Sequence, residues 1–189
     1  MDQNTLLGAS GAGETVDLGG TPYTFSPVTQ SMEAELCAWL KKRLRVEASE
    51  TAAEMRRLSR QKAKEARELM DAITQANSDA ERSDMAARMA DAEDDARALE
   101  FDARDHLMRT DEKIASGACA FGSWFANQAL GMPDGAAKMV HLMLLPKHPS
   151  MTLAKVGELL REYEAEITRA VKAAEGIVEK KVSSPTSSD

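Results

Sequence analysis

From Lys41 to Lys113 the chain runs without a single glycine or proline and is dense in alanine and charge. Such a stretch has no helix breaker, and its commonest residues are the strongest helix formers, so it must be helical for most of its length. Charge divides it in two. Between Lys41 and Arg67 ten basic residues face four acidic ones, a local balance of +6. Between Asp79 and Asp105 ten acidic residues face four basic ones, a balance of −6. Ala76-Asn77-Ser78-Asp79 between them has the residues of a turn followed by a helix N-cap. A basic arm, a turn and an acidic arm of similar length predict an antiparallel helical hairpin with complementary flanks.

The apolar residues agree with that hairpin. Met55, Leu58, Ala66, Leu69 and Ile73 on one arm, and Met85, Met89, Ala92, Ala96, Leu99, Ala103 and Leu107 on the other, follow the three–four spacing of a helical seam. Alanine allows close approach but buries little surface, whereas a fully buried leucine contributes roughly 1.5–3 kcal/mol. The seam is therefore thin. It calls for completion by the N- and C-terminal helices or by another subunit in a homo-oligomer. The charges set the pairing direction more than they add stability, because exposed ion pairs contribute about 0–1 kcal/mol each.

The rest of the composition favours a mainly α-helical bundle. Of the 189 residues 43% are hydrophobic, but much of that is Ala and Met, and aromatics are only 4%. The net charge of −7 disfavours a grip on nucleic acid, which needs clustered cations against phosphates. The longest apolar run, Met139 to Leu145, is far too short to span a bilayer, so no membrane partner is expected. Met1-Asp2-Gln3-Asn4 lacks the features of a secretion signal, and a reducing cytoplasm is the expected compartment. Cys37 and Cys119 lie in apolar helical surroundings without CxxC spacing and read as reduced thiols.

Residues 1–14 read as a flexible lead-in, 15–181 as a single helical domain and 182–189 as a disordered tail. Within the domain, 15–25 is a small β-hairpin: Val16 and Leu18 alternate on one side of Gly19-Gly20 and Tyr23 and Phe25 on the other, and the two glycines suit a tight turn. Pro22 confines the second strand to an edge. Residues 27–48 form a helix, with Ser26 as N-cap, Pro27 at its first position and an apolar stripe of Met32, Leu36, Leu40 and Leu44. The charged hairpin occupies 49–115, and C-terminal helices fill 118–181. The last of these starts at Ser150 or Thr152 and carries Leu153, Val156, Leu160, Tyr163, Ile167, Val171 and Ala174 on one face.

No catalytic or cofactor chemistry stands out, and an enzyme is not expected. Gly8 to Thr15 has the glycine spacing of a phosphate-binding loop, but Glu14 stands where that loop needs lysine. His106, His141 and His148 are scattered, without metal-site spacing among themselves or with cysteine. Interaction residues are the better candidates. Trp39 with Leu40 on the first helix, and Phe121, Trp124 and Phe125 after Gly117, are either core anchors or partner-binding hot spots.

Two segments resemble a known family. The first is Val16 to Pro27 running into an acidic amphipathic helix with Glu33 and Glu35. The second runs from Ala136 to Leu160: a short helix ending Leu144-Leu145-Pro146-Lys147-His148-Pro149, then Met151-Thr152-Leu153 opening a helix with Val156, Leu159 and Leu160. Their order is similar to that in tail assembly chaperones of tailed bacteriophages, over roughly half the chain; the Glu47–Lys113 insertion departs from the family's shorter pattern. The resemblance implies a non-enzymatic helical protein of the infected host's cytoplasm that binds the tape-measure protein, aids recruitment of tail-tube protein and leaves the finished particle. It also implies that Trp39, Leu40, Phe121, Trp124 and Phe125 are candidates for holding helical tape-measure segments. The alternative is a structural or scaffolding helical protein retained in the particle, with the hairpin as its oligomerisation element.

Overall fold

A computed structural model describes residues 13–175. Helices take up 75% of them. The order is β1 (Glu14–Leu18), β2 (Thr21–Phe25), α1 (Gln30–Gln75), α2 (Asp79–Ala115), α3 (Trp124–Leu130), α4 (Pro133–Leu144), α5 (Leu153–Glu162) and α6 (Glu164–Ala174). This is the mainly α architecture that the composition predicts, with its long antiparallel helical hairpin and small N-terminal β-hairpin. The lead-in before Gly13 and the tail at 182–189 lie outside the described residues. The chain forms two compact units: the chain up to Cys37 together with Ala120 onward, and Ala38–Cys119.

In the first unit β1 and β2 pair antiparallel, with Glu14 opposite Phe25 and Leu18 opposite Thr21. Gly19 and Gly20 take φ of 62° and 83°, the left-handed region the turn requires. The Asp17 carboxylate fixes that turn by accepting the Gly20 N–H at 2.7 Å. Leu18 and Phe25 are buried, because a two-stranded sheet is marginal alone and must lie on something. Here β2 packs on α4, and α6 packs on both strands. The Ser26 N–H donates to the Met143 carbonyl at 2.8 Å. The Thr24 N–H donates to Nε2 of His148 at 2.9 Å, and the His148 ring lies 5.4 Å from that of Tyr23.

The first helix starts later than expected: Ser26 and Pro27 are not its cap and first turn, and Ser26 lies alongside α4, its N–H bonded to Met143. α1 begins at Gln30, where Thr29 accepts the Met32 N–H on its hydroxyl at 3.3 Å and the Glu33 N–H on its carbonyl. With no breaker near residue 48, α1 runs on through the first arm to Gln75.

α4 is the most buried helix of this unit, with Ala137, Met139, Val140, Leu142, Met143 and Leu144 all in the core and Pro133 at its start. α3 and α5 pack against it. The single last helix expected from Thr152 is two. Thr152 does cap α5, accepting the Lys155 N–H at 3.2 Å, but the helix breaks at Tyr163 (φ −129°, ψ 37°). The Tyr163 hydroxyl sits against the β-turn, 2.6 Å from where a Cβ on Gly19 would be. The break lets α5 lie on α4 while α6 turns onto the strands.

In the second unit α2 returns along α1. Ser78 caps α2 by accepting the Glu81 N–H at 3.2 Å, and the Glu81 carboxylate accepts the Asn77 N–H in return. α2 ends in a Schellman turn: Gly117 N–H to Ile114 O, and Ala118 N–H to Lys113 O. Of the expected seam, Ala66, Ala92, Ala96 and Ala103 are buried, joined by Ala48, Ala52, Ala76 and Ile114; Leu58 is exposed instead, and Met55, Leu69, Ile73, Met85, Met89, Leu99 and Leu107 are half-buried. Alanine predominates among the buried residues, and Ser59 reaches across to the Ala96 carbonyl.

Candidate interaction surfaces

The aromatic cluster after α2 is set by a turn. Ser123 caps α3, its hydroxyl accepting the Ala126 N–H at 3.1 Å, while the Asn127 amide donates to the Gly122 carbonyl at 3.3 Å. Ala126 points inward and is fully buried. Trp124, at the first helical position, therefore projects outward and is 76% exposed. Phe121 before the turn is 40% exposed, and Phe125 is half-buried. Phe121 and Trp124 are thus not core residues, as one reading of the sequence had them. The core of this unit is filled by aliphatic and methionine side chains of α4 instead. Large aromatics left in water are unfavourable for the free chain and characteristic of partner sites.

Trp39 and Leu40 belong to the other unit. Leu40 is buried and has no surface to offer. Trp39 is half-buried, with the Arg43 guanidinium 5.5 Å from its ring centroid. The five candidates therefore do not form one patch within a unit: the exposed aromatics are Phe121 and Trp124, and Trp39 is a partly covered residue of α1.

The arms carry the second surface. Ion pairs cross between them as the charge reversal predicts: Lys62 with Asp95 at 3.2 Å, Arg45 with Asp111 at 3.4 Å and Arg56 with Glu100 at 3.9 Å. A hydrogen bond to Asp95, and then the charge of Glu65, raise the Lys62 ammonium above the ordinary lysine value. Phe101 is 68% exposed on α2, at the rim of a groove of about 380 Å3 with Ser59, Ala96, Arg97, Glu100 and Arg104. Met108, two turns further along the same stripe, is 56% exposed. Neither was singled out from the sequence. The signal was there: Phe101 interrupts an acidic helix out of phase with Ala96 and Ala103. A second open groove, about 510 Å3, runs along α1 past Ala38, Lys41, Lys42, Arg45, Val46, Ser49 and Glu50.

Two of the three histidines, His141 and His148, make contacts within the fold. His148 anchors β2, and Nε2 of His141 lies 3.0 Å from the Met151 carbonyl. Among the described residues no three His, Cys, Asp or Glu side chains gather as a metal site, neither Cys37 nor Cys119 is in a disulfide, and no helix is long and apolar enough to cross a membrane. No protein family, curated protein or solved structure matches the chain.

Proposed function

We propose that this protein is a non-enzymatic assembly chaperone of a phage tail, which holds helical segments of a tape-measure protein and aids tail-tube assembly in the host cytoplasm. The observation that carries the reading is Trp124, 76% exposed at the start of a helix capped by Ser123, with Phe121 exposed just before the cap. Two aromatics at the start of a short helix offer an anchor for the apolar stripe of a long helix. The order of the hairpin, the short apolar α4 and the Thr152-capped α5 supports the family side of the proposal through the resemblance already described.

Co-expression with a tagged tape-measure protein, followed by pull-down, tests it. Wild type is expected to be captured, and Trp124→Ala with Phe121→Ser to be lost from the complex with unchanged helix content. Equal capture of the double variant removes the aromatic anchor. The exposed Phe101 and Met108 favour a second reading, a scaffolding component that assembles through its hairpin and stays in the particle. Finding the chain in stoichiometric amount in purified virions would sink the chaperone reading in its favour.

A further inference from the structure

The backbone of His148 is held on both sides. It lies between Pro146 and Pro149, its N–H donates to the Leu144 carbonyl at 2.9 Å, and its carbonyl accepts the Met151 N–H at 2.9 Å. From there the half-buried imidazole reaches β2, with Nε2 2.9 Å from the Thr24 nitrogen. A backbone N–H can only donate, so Nε2 is the bare nitrogen and the ring is neutral, with its proton on Nδ1. The other position of β2 on the same edge as Thr24 is Pro22, which has no N–H. Thr24 is thus the one donor that β2 turns away from β1, and its acceptor is a titratable ring.

We infer that His148 is an acid-sensitive latch on the β-hairpin: protonation of its ring releases the Thr24 amide and loosens the middle of β2. An imidazolium carries hydrogen on both ring nitrogens, so neither rotation of the ring nor a change of tautomer restores an acceptor. The surroundings do not offset the new charge. The ionisable groups around the ring are Tyr23, 5.4 Å away between centroids, and Lys147, next to it in the chain. Beyond Tyr23 stands Lys155 of α5, close enough for the two charges to interact and itself paired with Glu158. No carboxylate among the described residues is paired with His148. The latched state excludes the proton and the open state accepts it, so latching strengthens as pH rises and is lost as pH falls. Histidine changes its charge between about pH 8 and 5, which sets the range of the switch. Opening is local, because Phe25 is fully buried and the Ser26 N–H is bonded to the Met143 carbonyl, contacts that involve no ionisable side chain. The latch is independent of the chaperone reading, since neither Phe121 nor Trp124 takes part in it.

Amide exchange and imidazole nitrogen NMR of the full chain, followed from about pH 8 to 5, test the latch. Protection at Thr24, corrected for the intrinsic pH dependence of exchange, should fall about 5-fold or more, as loss of one hydrogen bond does. Its midpoint should coincide with protonation of the His148 ring, while protection at Ser26 stays level. At the alkaline end the ring should carry its proton on Nδ1. His148→Gln, whose side-chain oxygen accepts a hydrogen bond but gains no charge, should hold Thr24 equally across the range. Thr24 protection that persists once the ring is charged overturns the inference. So does a His148→Gln chain that loses this protection with the wild-type midpoint. Where glutamine does not reach Thr24, the wild-type midpoints decide by themselves: coincident ones support the latch and separate ones overturn it.

Discussion

The hydroxyl of Ser59 on α1 donates to the backbone carbonyl of Ala96 on α2 at 2.8 Å. A serine side chain is one oxygen longer than alanine, so it reaches a facing main-chain atom only if the two helix backbones almost touch. That distance explains why Ala52 and Ala103 are fully buried while Leu58 is pushed into solvent. The arms are held by closeness and register, with little hydrophobic bulk between them.

Crowding should therefore harm the seam more than loss of the hydroxyl. Ser59→Ala is expected to cost about 0.5–1.5 kcal/mol, the worth of one hydrogen bond. Ala52→Leu is expected to cost more, about 1–3 kcal/mol, by forcing the helices apart. Urea titrations followed by helical circular dichroism rank the two, and a stabilised Ala52→Leu would disprove close packing.

The Lys62–Asp95 pair gives the pairing a pH signature. Because the folded-state value of Lys62 is raised, its stabilising contribution is present below the ordinary lysine value and is lost as pH rises through the folded one. The arms should loosen in that alkaline window. NMR titration of the Lys62 ammonium should show a lower midpoint in Asp95→Asn, and an unchanged midpoint would mean the pair does not persist in solution.

Two glycines in helices should respond oppositely to alanine. A Cβ on Gly135 would lie 1.9 Å from the Ala129 carbonyl oxygen, a backbone atom that cannot swing aside, so Gly135→Ala should destabilise by about 1–3 kcal/mol or more. At Gly157 a Cβ meets nothing within 4 Å, and alanine there should stabilise by about 0.4–1 kcal/mol through the helix backbone. Melting temperatures that move the same way in both variants would contradict the packing of α3 on α4.

His148 ties the β-hairpin down. Replacing it with alanine removes the acceptor for the Thr24 N–H and the ring beside Tyr23, at an expected cost of about 1–3 kcal/mol. Amide exchange should quicken at Thr24 while the Gly20 amide, held by Asp17 within the turn, keeps its protection. Uniform exchange across both would show that the histidine does not anchor the strand.

How far the sequence could be read follows from the range of the forces involved. The two arms and their Ser78 cap, the Gly19-Gly20 turn, the Thr152 cap and the end of α2 at Gly117 were all legible. Each depends on residues within a few positions of one another, where backbone propensity, capping and charge act. The sequence by itself therefore determined a mainly helical chain, its hairpins and the pairing direction of its arms. Only the tertiary structure decided what lies inside. Ser26 bonds to Met143 and α1 starts only at Gln30, and contact with Gly19 accompanies the break of the last helix at Tyr163. Close approach put alanine at the centre of the seam, and the aliphatic packing of α4 left Trp124 in water. Those outcomes depend on which distant side chains compete for the same space, and no local pattern records that competition.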